Sequence, residues 1–332
     1  MKVTFVCSTA VEDQYPVTWR CTTPAAAIQR TGLHQAAVIG LEAFARHAPE
    51  AQAACERADL IVIHRYLTAP VLEAALRWRA GGKKVIVDLD EPLPVTAGPE
   101  APTAGSLRLV DAITSPSARL ADDWDVPVPA YPLPDYLDPR RYLDIKPTHG
   151  ECIRVGLGGG SVSYASLAGS GLLGALASVC RQRPNVRLML FGADATLTRY
   201  LIQSGLPHTA LPWVPPADWP QHLAGLDVGL APIAGEAERR KSWQRLLEYM
   251  ILSIPWVASD QLPYRALGAY GRLVANTEPG WTQALLSVID HLDACRAQAA
   301  KEAFVIALSQ DIDENISRTI SLYQTVLRSS AR

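Results

Sequence analysis

Four short stretches of the chain set chemically capable side chains close together. Lys241, Ser242 and Arg245 stand in ERRKSWQRLLEYMIL, where Leu246, Leu247, Met250 and Ile251 recur at helical spacing, so a helix is predicted to begin near Lys241. A helix start offers unpaired backbone N–H groups and the positive end of the helix dipole, which suits a phosphate. A solvated, charged helix start with no ligand is the plainer alternative. In GLGGGSVSYASL (156–167), Gly156, Gly158, Gly159, Gly160 and Ser161 follow a strand and lead into a helix. Glycines there let the backbone approach a ligand closely. The dinucleotide fingerprint is incomplete: Ser161 stands where a third glycine belongs, and Asp194 lies well past the acidic position at roughly 20 residues on. NAD binding is therefore disfavoured.

The other two stretches lie in the first half. VIVDLDEPL (85–93) carries Asp88, Asp90 and Glu91 at a strand end, and alternation puts Asp88 and Asp90 on one face. Such carboxylates can serve as a base or bind a metal, or merely cap a solvated strand end. Arg20 follows the first strand in YPVTWRCTTPAAAIQRTG (15–32). Its guanidinium can grip a carboxylate or phosphate with two parallel hydrogen bonds, or can be an ordinary loop arginine.

These residues need a scaffold, and the chain supplies the same one twice. In the first half, apolar runs at 2–8, 36–40, 59–65, 83–89, 112–117 and a short VPAYPL alternate with helical stretches such as 24–31 and 69–80. The second half repeats this with runs at 153–158, 186–192, 208–214, 227–233, 255–259 and 272–276. Strands that are apolar throughout imply a parallel sheet covered on both faces. Between the halves, PLPDYLDPRRYLDIKPTHGE (132–151) is rich in proline and charge and reads as a linker. A long helical region, about 281–328, closes the chain.

Composition narrows the function classes. With 332 residues, 48% apolar and 19% charged, two ordinary globular domains are expected. A net charge of −2 argues against a general nucleic-acid surface, although a local basic patch leaves peripheral membrane contact open. No apolar run approaches the roughly 20 residues of a membrane span, and MKVTFVCS lacks the form of a signal peptide. Cys7, Cys21, Cys55, Cys152, Cys180 and Cys295 are scattered, as reduced thiols of a cytoplasmic protein would be.

In order along the chain, these motifs resemble the retaining family 4 group of two-domain GT-B glycosyltransferases, in particular its phage and bacterial branch. The group's K-S-x-x-[KR]-x-L-E-[YA] run is matched by Lys241, Ser242, Arg245, Leu247, Glu248 and Tyr249, followed by Pro255 to Ser259. The G-x-x-G-S-x-x-[HK] turn is matched at the glycine loop, with Ser163 and Tyr164 where a basic residue is frequent. Asp135, Tyr136, Leu137 and Asp138 resemble the group's P-N-x-[LI]-D stretch, which precedes the second domain. First-domain patterns are matched by Trp19, Arg20, Pro24, Ala25 and Ile28, and by His64, Arg65, Asp88, Asp90 and Glu91. One departure concerns the first of the group's two glutamates, eight positions before Glu248, where Arg240 stands with Glu236 and Glu238 nearby.

The resemblance implies an α/β fold of two Rossmann-like domains with parallel sheets facing across a cleft. Residues 1–148 would form the acceptor side, 149–310 the donor side, and 311–332 a C-terminal helix crossing back. It implies glycosyl transfer from a nucleotide-diphosphate sugar to an unknown acceptor, which could be a glycan, lipid, protein or small molecule. No cofactor or metal is expected. Gly158, Gly159, Gly160, Ser161, Lys241, Ser242 and Arg245 would hold the diphosphate, and Glu248 the ribose. Asp88, Asp90 and Arg20 would serve the acceptor. Two alternatives share the architecture: a non-catalytic sugar-nucleotide-binding or partner protein, motivated by Arg240, and a sugar-nucleotide epimerase.

Overall fold

The computed structural model describes residues 1–7, 15–90, 103–117, 128–157, 164–235 and 242–329. The chain forms two compact units: Met1–Tyr136 with Arg240–Ser242 and Ile312–Arg332, and Leu137–Arg239 with Trp243–Asp311.

The first unit is built on six parallel strands, β1 (Lys2–Cys7), β2 (Gln35–Gly40), β3 (Leu60–His64), β4 (Lys84–Asp88), β5 (Ala112–Ser115) and β6 (Ala130–Pro132). Their order is β2-β1-β3-β4-β5-β6. The strands are apolar at nearly every position because both faces are covered. Alternate residues serve two separate cores. Phe5, Leu60, Val62 and Ile86 face one core, which includes Ile316, Tyr323 and Val326 of the Ile312–Arg328 helix. Val6, Ile61, Ile63, Val85 and Val87 face the other.

The second unit also has six parallel strands: β7 (Ile153–Leu157), β8 (Val186–Phe191), β9 (His208–Leu211), β10 (Val228–Ala231), β11 (Trp256–Ser259) and β12 (Arg272–Val274). Their order is β12-β11-β10-β7-β8-β9. From β7 the chain builds outward through β8 and β9. It then returns to the other side of β7 and builds outward through β10, β11 and β12. The direction of winding therefore reverses between β7 and β10. In open α/β sheets, ligands bind beyond the carboxyl ends of the strands at such a reversal.

Most strands stop one or two residues short of the sequence expectation. The run 208–214 ends its pairing at Leu211, since Pro212 has no N–H to continue the ladder. The expected long closing helix is instead several pieces, including Glu278–Asp290, Leu292–Gln298, Phe304–Ser309 and Ile312–Arg328. Among the described residues, no helix is long and apolar enough to cross a membrane.

Candidate functional site

The seam between β7 and β10 positions the first candidate site. Gly156 pairs with Gly229 and Leu157 with Leu230, so the two strands end side by side. Both glycines are required by close approach. A Cβ on Gly156 would meet the Leu226 side chain at 2.5 Å and the Met189 carbonyl at 2.8 Å, and one on Gly229 would meet the Tyr249 ring at 2.6 Å. The bare backbone of Gly229 lets the Gln244–Ile251 helix lie directly on the seam. Tyr249 completes the contact: its hydroxyl donates to the Leu230 carbonyl at 2.7 Å and lies 3.4 Å from the Gly156 carbonyl. Arg245 precedes Tyr249 by one helical turn, so it sits on the same side of the helix, toward the end from which the helix enters.

The helix begins at Gln244, three residues later than the spacing near Lys241 suggests. Arg245 thus lies in its first turn, and the half-buried Ser242 precedes it. Gly158, Gly159, Gly160, Ser161 and Lys241 lie outside the described residues, as do Glu91 and Arg240. The described chain enters these two segments at Leu157, the last residue of β7, and at Gly235, which follows the end of β10 at Ala231. At the amino end the same seam is closed. Asp227 accepts a hydrogen bond from the Arg154 backbone at 2.7 Å and pairs with His149 and Arg296.

Glu248 turns inward. It is 2% exposed and accepts a hydrogen bond from the Tyr142 hydroxyl at 2.9 Å. Burial is the dominant influence and raises its pKa to about 7, against the Tyr142 hydrogen bond and the Arg141 charge, the Trp219 N–H and the Arg245 charge, all of which lower it. A carboxyl expected to face a ribose is engaged by a tyrosine from the segment that opens the second unit. Nothing in the sequence pairs Tyr142 with Glu248.

In the first unit, Arg20 and Asp88 do meet, but on each other. Arg20 sits in a π-helical turn, Thr18–Thr22. Its Nε and Nη2 donate to the two carboxylate oxygens of Asp88 at 2.8 and 2.6 Å. Its Nη1 donates to Asp135 at 2.8 Å and to the Leu133 carbonyl at 2.7 Å. Thr114 also donates to Asp88, at 2.6 Å. Arg20 and Asp88 are 6% and 2% exposed. Burial alone would lower the pKa of Arg20, but Asp88 and Asp135 outweigh it and hold the guanidinium well above its usual value. The two-pronged bond is spent on Asp88, and the network ties the turn after β1 to the ends of β4, β5 and β6. Sequence reasoning missed Thr114 in this network, and it read Asp135 only as part of a linker motif.

Asp90 lies beyond the end of β4 and has different partners. Arg65 donates to its two oxygens at 2.6 and 2.8 Å, and His64 Nε2 lies 3.5 Å away. Burial opposes ionisation of Asp90, but the His64 and Arg65 charges outweigh it and hold the carboxyl well below the usual carboxylate range. Arg65 adopts a left-handed backbone (φ 66°), a conformation that costs a non-glycine residue about 1 kcal/mol. Asp88 and Asp90 thus belong to two separate ion pairs. Among the described residues no group of three His, Cys, Asp or Glu side chains is placed to hold a metal ion.

No family model and no curated protein matches the chain. Solved structures do. HepE of Anabaena, crystallised with UDP-glucose, superposes with a TM-score of 0.69 at 17% identity, over 97% of this chain and 100% of that one. The chain has the GT-B fold. Sucrose-phosphate synthase of Thermosynechococcus elongatus gives a TM-score of 0.70 at 11% identity, over 99% and 100% of the two chains. A protein of Listeria monocytogenes assigned as a UDP-N-acetylglucosamine 2-epimerase gives 0.63 at 11%, over 100% and 98%. One architecture thus serves proteins of different chemistry, and the site has to carry the functional argument.

Proposed function

We propose that this GT-B chain is a glycosyltransferase whose nucleotide-diphosphate sugar binds at the carboxyl ends of β7 and β10. The observation that supports this most is the reversal of winding at that seam. Two segments with phosphate-binding character, Gly158–Ser161 and Lys241–Arg245, leave these two adjacent strands. Arg245 and Lys241 then stabilise the departing diphosphate, as fixed cations do where charge develops. That HepE was crystallised with UDP-glucose agrees with this reading. Glu248 reaches a ribose hydroxyl only by sharing its carboxyl with Tyr142.

On the acceptor side, Asp90 is the stronger candidate of the two aspartates. Arg65 and His64 orient it, and it lies past the strand end, whereas Asp88 is buried against Arg20. The family 4 assignment and a retaining outcome belong to the same proposal. Incubating the protein with UDP-glucose, other UDP-sugars and GDP-sugars, and following release of the nucleoside diphosphate, tests the assignment. Turnover that requires an acceptor supports transfer.

A second reading, binding without catalysis, is favoured by Arg240 at the position of the sugar-side glutamate. It predicts tight nucleotide-sugar binding with neither release nor epimerisation. The epimerase alternative predicts interconversion of the sugar without any acceptor.

A further inference from the structure

The turn that carries Tyr142 is fastened on both sides. At the start of the second unit the Leu137 N–H donates to the Gln310 carbonyl at 2.8 Å. Asp138 then caps a short 3₁₀ turn, Pro139–Arg141, by accepting from the Arg140 N–H at 3.2 Å. Arg141 donates to the Pro216 carbonyl, in the stretch that leads from β9 to the Trp219–Leu223 helix. Its guanidinium also lies 5.8 Å from the centre of the Tyr142 ring. Tyr142 itself is 1% exposed, and its hydroxyl donates to Glu248 Oε1 at 2.9 Å.

A buried tyrosine hydroxyl needs an acceptor, but a neutral glutamine would serve it without the cost of burying a carboxyl. Tyr142 therefore does not account for the acid at 248. Position on the helix does. Glu248 lies three residues past Arg245, so the two are neighbours on the helix surface, with Cβ atoms about 5–6 Å apart. In a nucleoside diphosphate the ribose is bonded directly to phosphate, so a nucleotide whose phosphate meets Arg245 brings its ribose within reach of Glu248. An ionised carboxylate has about four lone-pair sites, enough for Tyr142 and a ribose diol together. Burial raises the Glu248 pKa to about 7, while the Tyr142 hydroxyl, the Arg141 charge, the Trp219 N–H and the Arg245 charge each favour the ionised form. A perturbed carboxyl with a specific partner is the mark of a functional position.

We infer that Tyr142 is a positioning residue for the nucleotide: its hydroxyl orients the Glu248 carboxyl toward the ribose diol without touching the ligand itself. This rests on the donor site proposed above, through Arg245 and Glu248. Binding groups are held in place by a second layer of hydrogen bonds, and Tyr142 supplies one from a turn outside the helix. Tyr142→Phe removes the hydroxyl and keeps the ring. Glu248 then loses a donor that favours its ionised form, so the variant's carboxyl should hold its proton to higher pH.

The test is calorimetric titration with UDP, GDP and ADP, followed by the 2′-deoxy and 3′-deoxy analogues of whichever diphosphate binds tightest, at pH 6, 7 and 8.5. The analogues carry the same phosphates, so the comparison cancels phosphate titration. The proteins are wild type, Tyr142→Phe, Glu248→Gln and a core control, Val288→Ala, with the melting temperature of each reporting its folding. Val288 is 2% exposed in the second unit's core, so its variant loses stability by cavity formation alone. Wild type should prefer the ribonucleotide, and Val288→Ala should keep that preference. Tyr142→Phe should weaken the ribonucleotide on the order of tenfold at pH 7, with little effect on the analogues, and the deficit should narrow at pH 8.5. A destabilised fold would weaken all three ligands alike and show no such recovery. If Glu248→Gln loses the preference while Tyr142→Phe keeps wild-type affinity at every pH, or weakens all three ligands alike, the role of Tyr142 is overturned and the donor site stands. No preference in wild type, or a full preference in Glu248→Gln, removes the ribose contact and the role of Tyr142 with it.

Discussion

The ring of Tyr249 rests on the bare backbone of Gly229, where a Cβ would fall 2.6 Å from three ring carbons. That contact sets how closely the Gln244–Ile251 helix approaches the seam between β7 and β10, and so where Arg245 stands. Gly229→Ala should force the helix outward. Overpacking of this kind costs about 1–3 kcal/mol, and nucleotide affinity should fall with it. Thermal unfolding and titration with UDP on the same sample check both halves of the expectation. An unchanged melting temperature would mean that the helix has room to spare.

Arg245→Ala should remove one charge-assisted contact to the diphosphate. Such contacts are worth roughly 1.5–3 kcal/mol, a loss of about tenfold to a hundredfold in affinity. Calorimetry measures it, and Arg245→Lys should recover only part of the loss.

Glu248 gives a pH dependence of stability with a definite sign. Its folded pKa, about 7, lies above its ordinary value of 4.5. The folded protein therefore holds a proton that the unfolded chain releases. This contribution is complete below pH 4.5 and is lost as pH rises toward 7, by about 1.4 kcal/mol per pH unit and at most roughly 3 kcal/mol in all. Glu248→Gln should flatten that slope, so the variant gains on wild type as pH rises from 5 to 8. Chemical denaturation at several pH values decides the point. If Glu248 also binds ribose, the same variant weakens nucleoside diphosphate binding.

Arg20→Ala would leave Asp88 and Asp135 buried beside each other without their cation. Breaking a buried pair in this way typically costs 3–5 kcal/mol. Arg20→Lys should not rescue it, since an ammonium makes no two-pronged bond to Asp88 while also reaching Asp135 and Leu133. Denaturant midpoints for the two variants measure this. A mild loss of stability with a large loss of turnover would instead return Arg20 to a substrate-contacting role.

Arg65 allows a backbone test independent of its charge. Arg65→Ala and Arg65→Gly both lose the pair with Asp90, but glycine adopts a φ of 66° without strain. Arg65→Gly should be the more stable of the two by about 1 kcal/mol, read from denaturant unfolding.

The architecture was legible because both sheets are buried on two faces, which makes most strands largely apolar runs that proline and glycine punctuate. The breaks in the closing helical region were not, since neither His291 nor Gln310 with Asp311 carries a proline or glycine to signal a stop. The sequence located the chemical groups better than their partners. Arg20 finds Asp88 and Asp135 at separations of 68 and 115 residues, and Tyr142 finds Glu248 at 106. A motif records that a cation and a carboxylate are present. Only the sheet order decides whether they face a substrate or each other.

Hydrogen–deuterium exchange with and without UDP tests the central claim most directly, because it reads the ligand's position without a variant. Binding at the reversal of the second sheet predicts slowed exchange in peptides covering Gly156–Ser161 and Lys241–Leu246, with little change around Cys7 and His64. Protection confined to the first unit, with those two segments unaffected at saturating UDP, would contradict it.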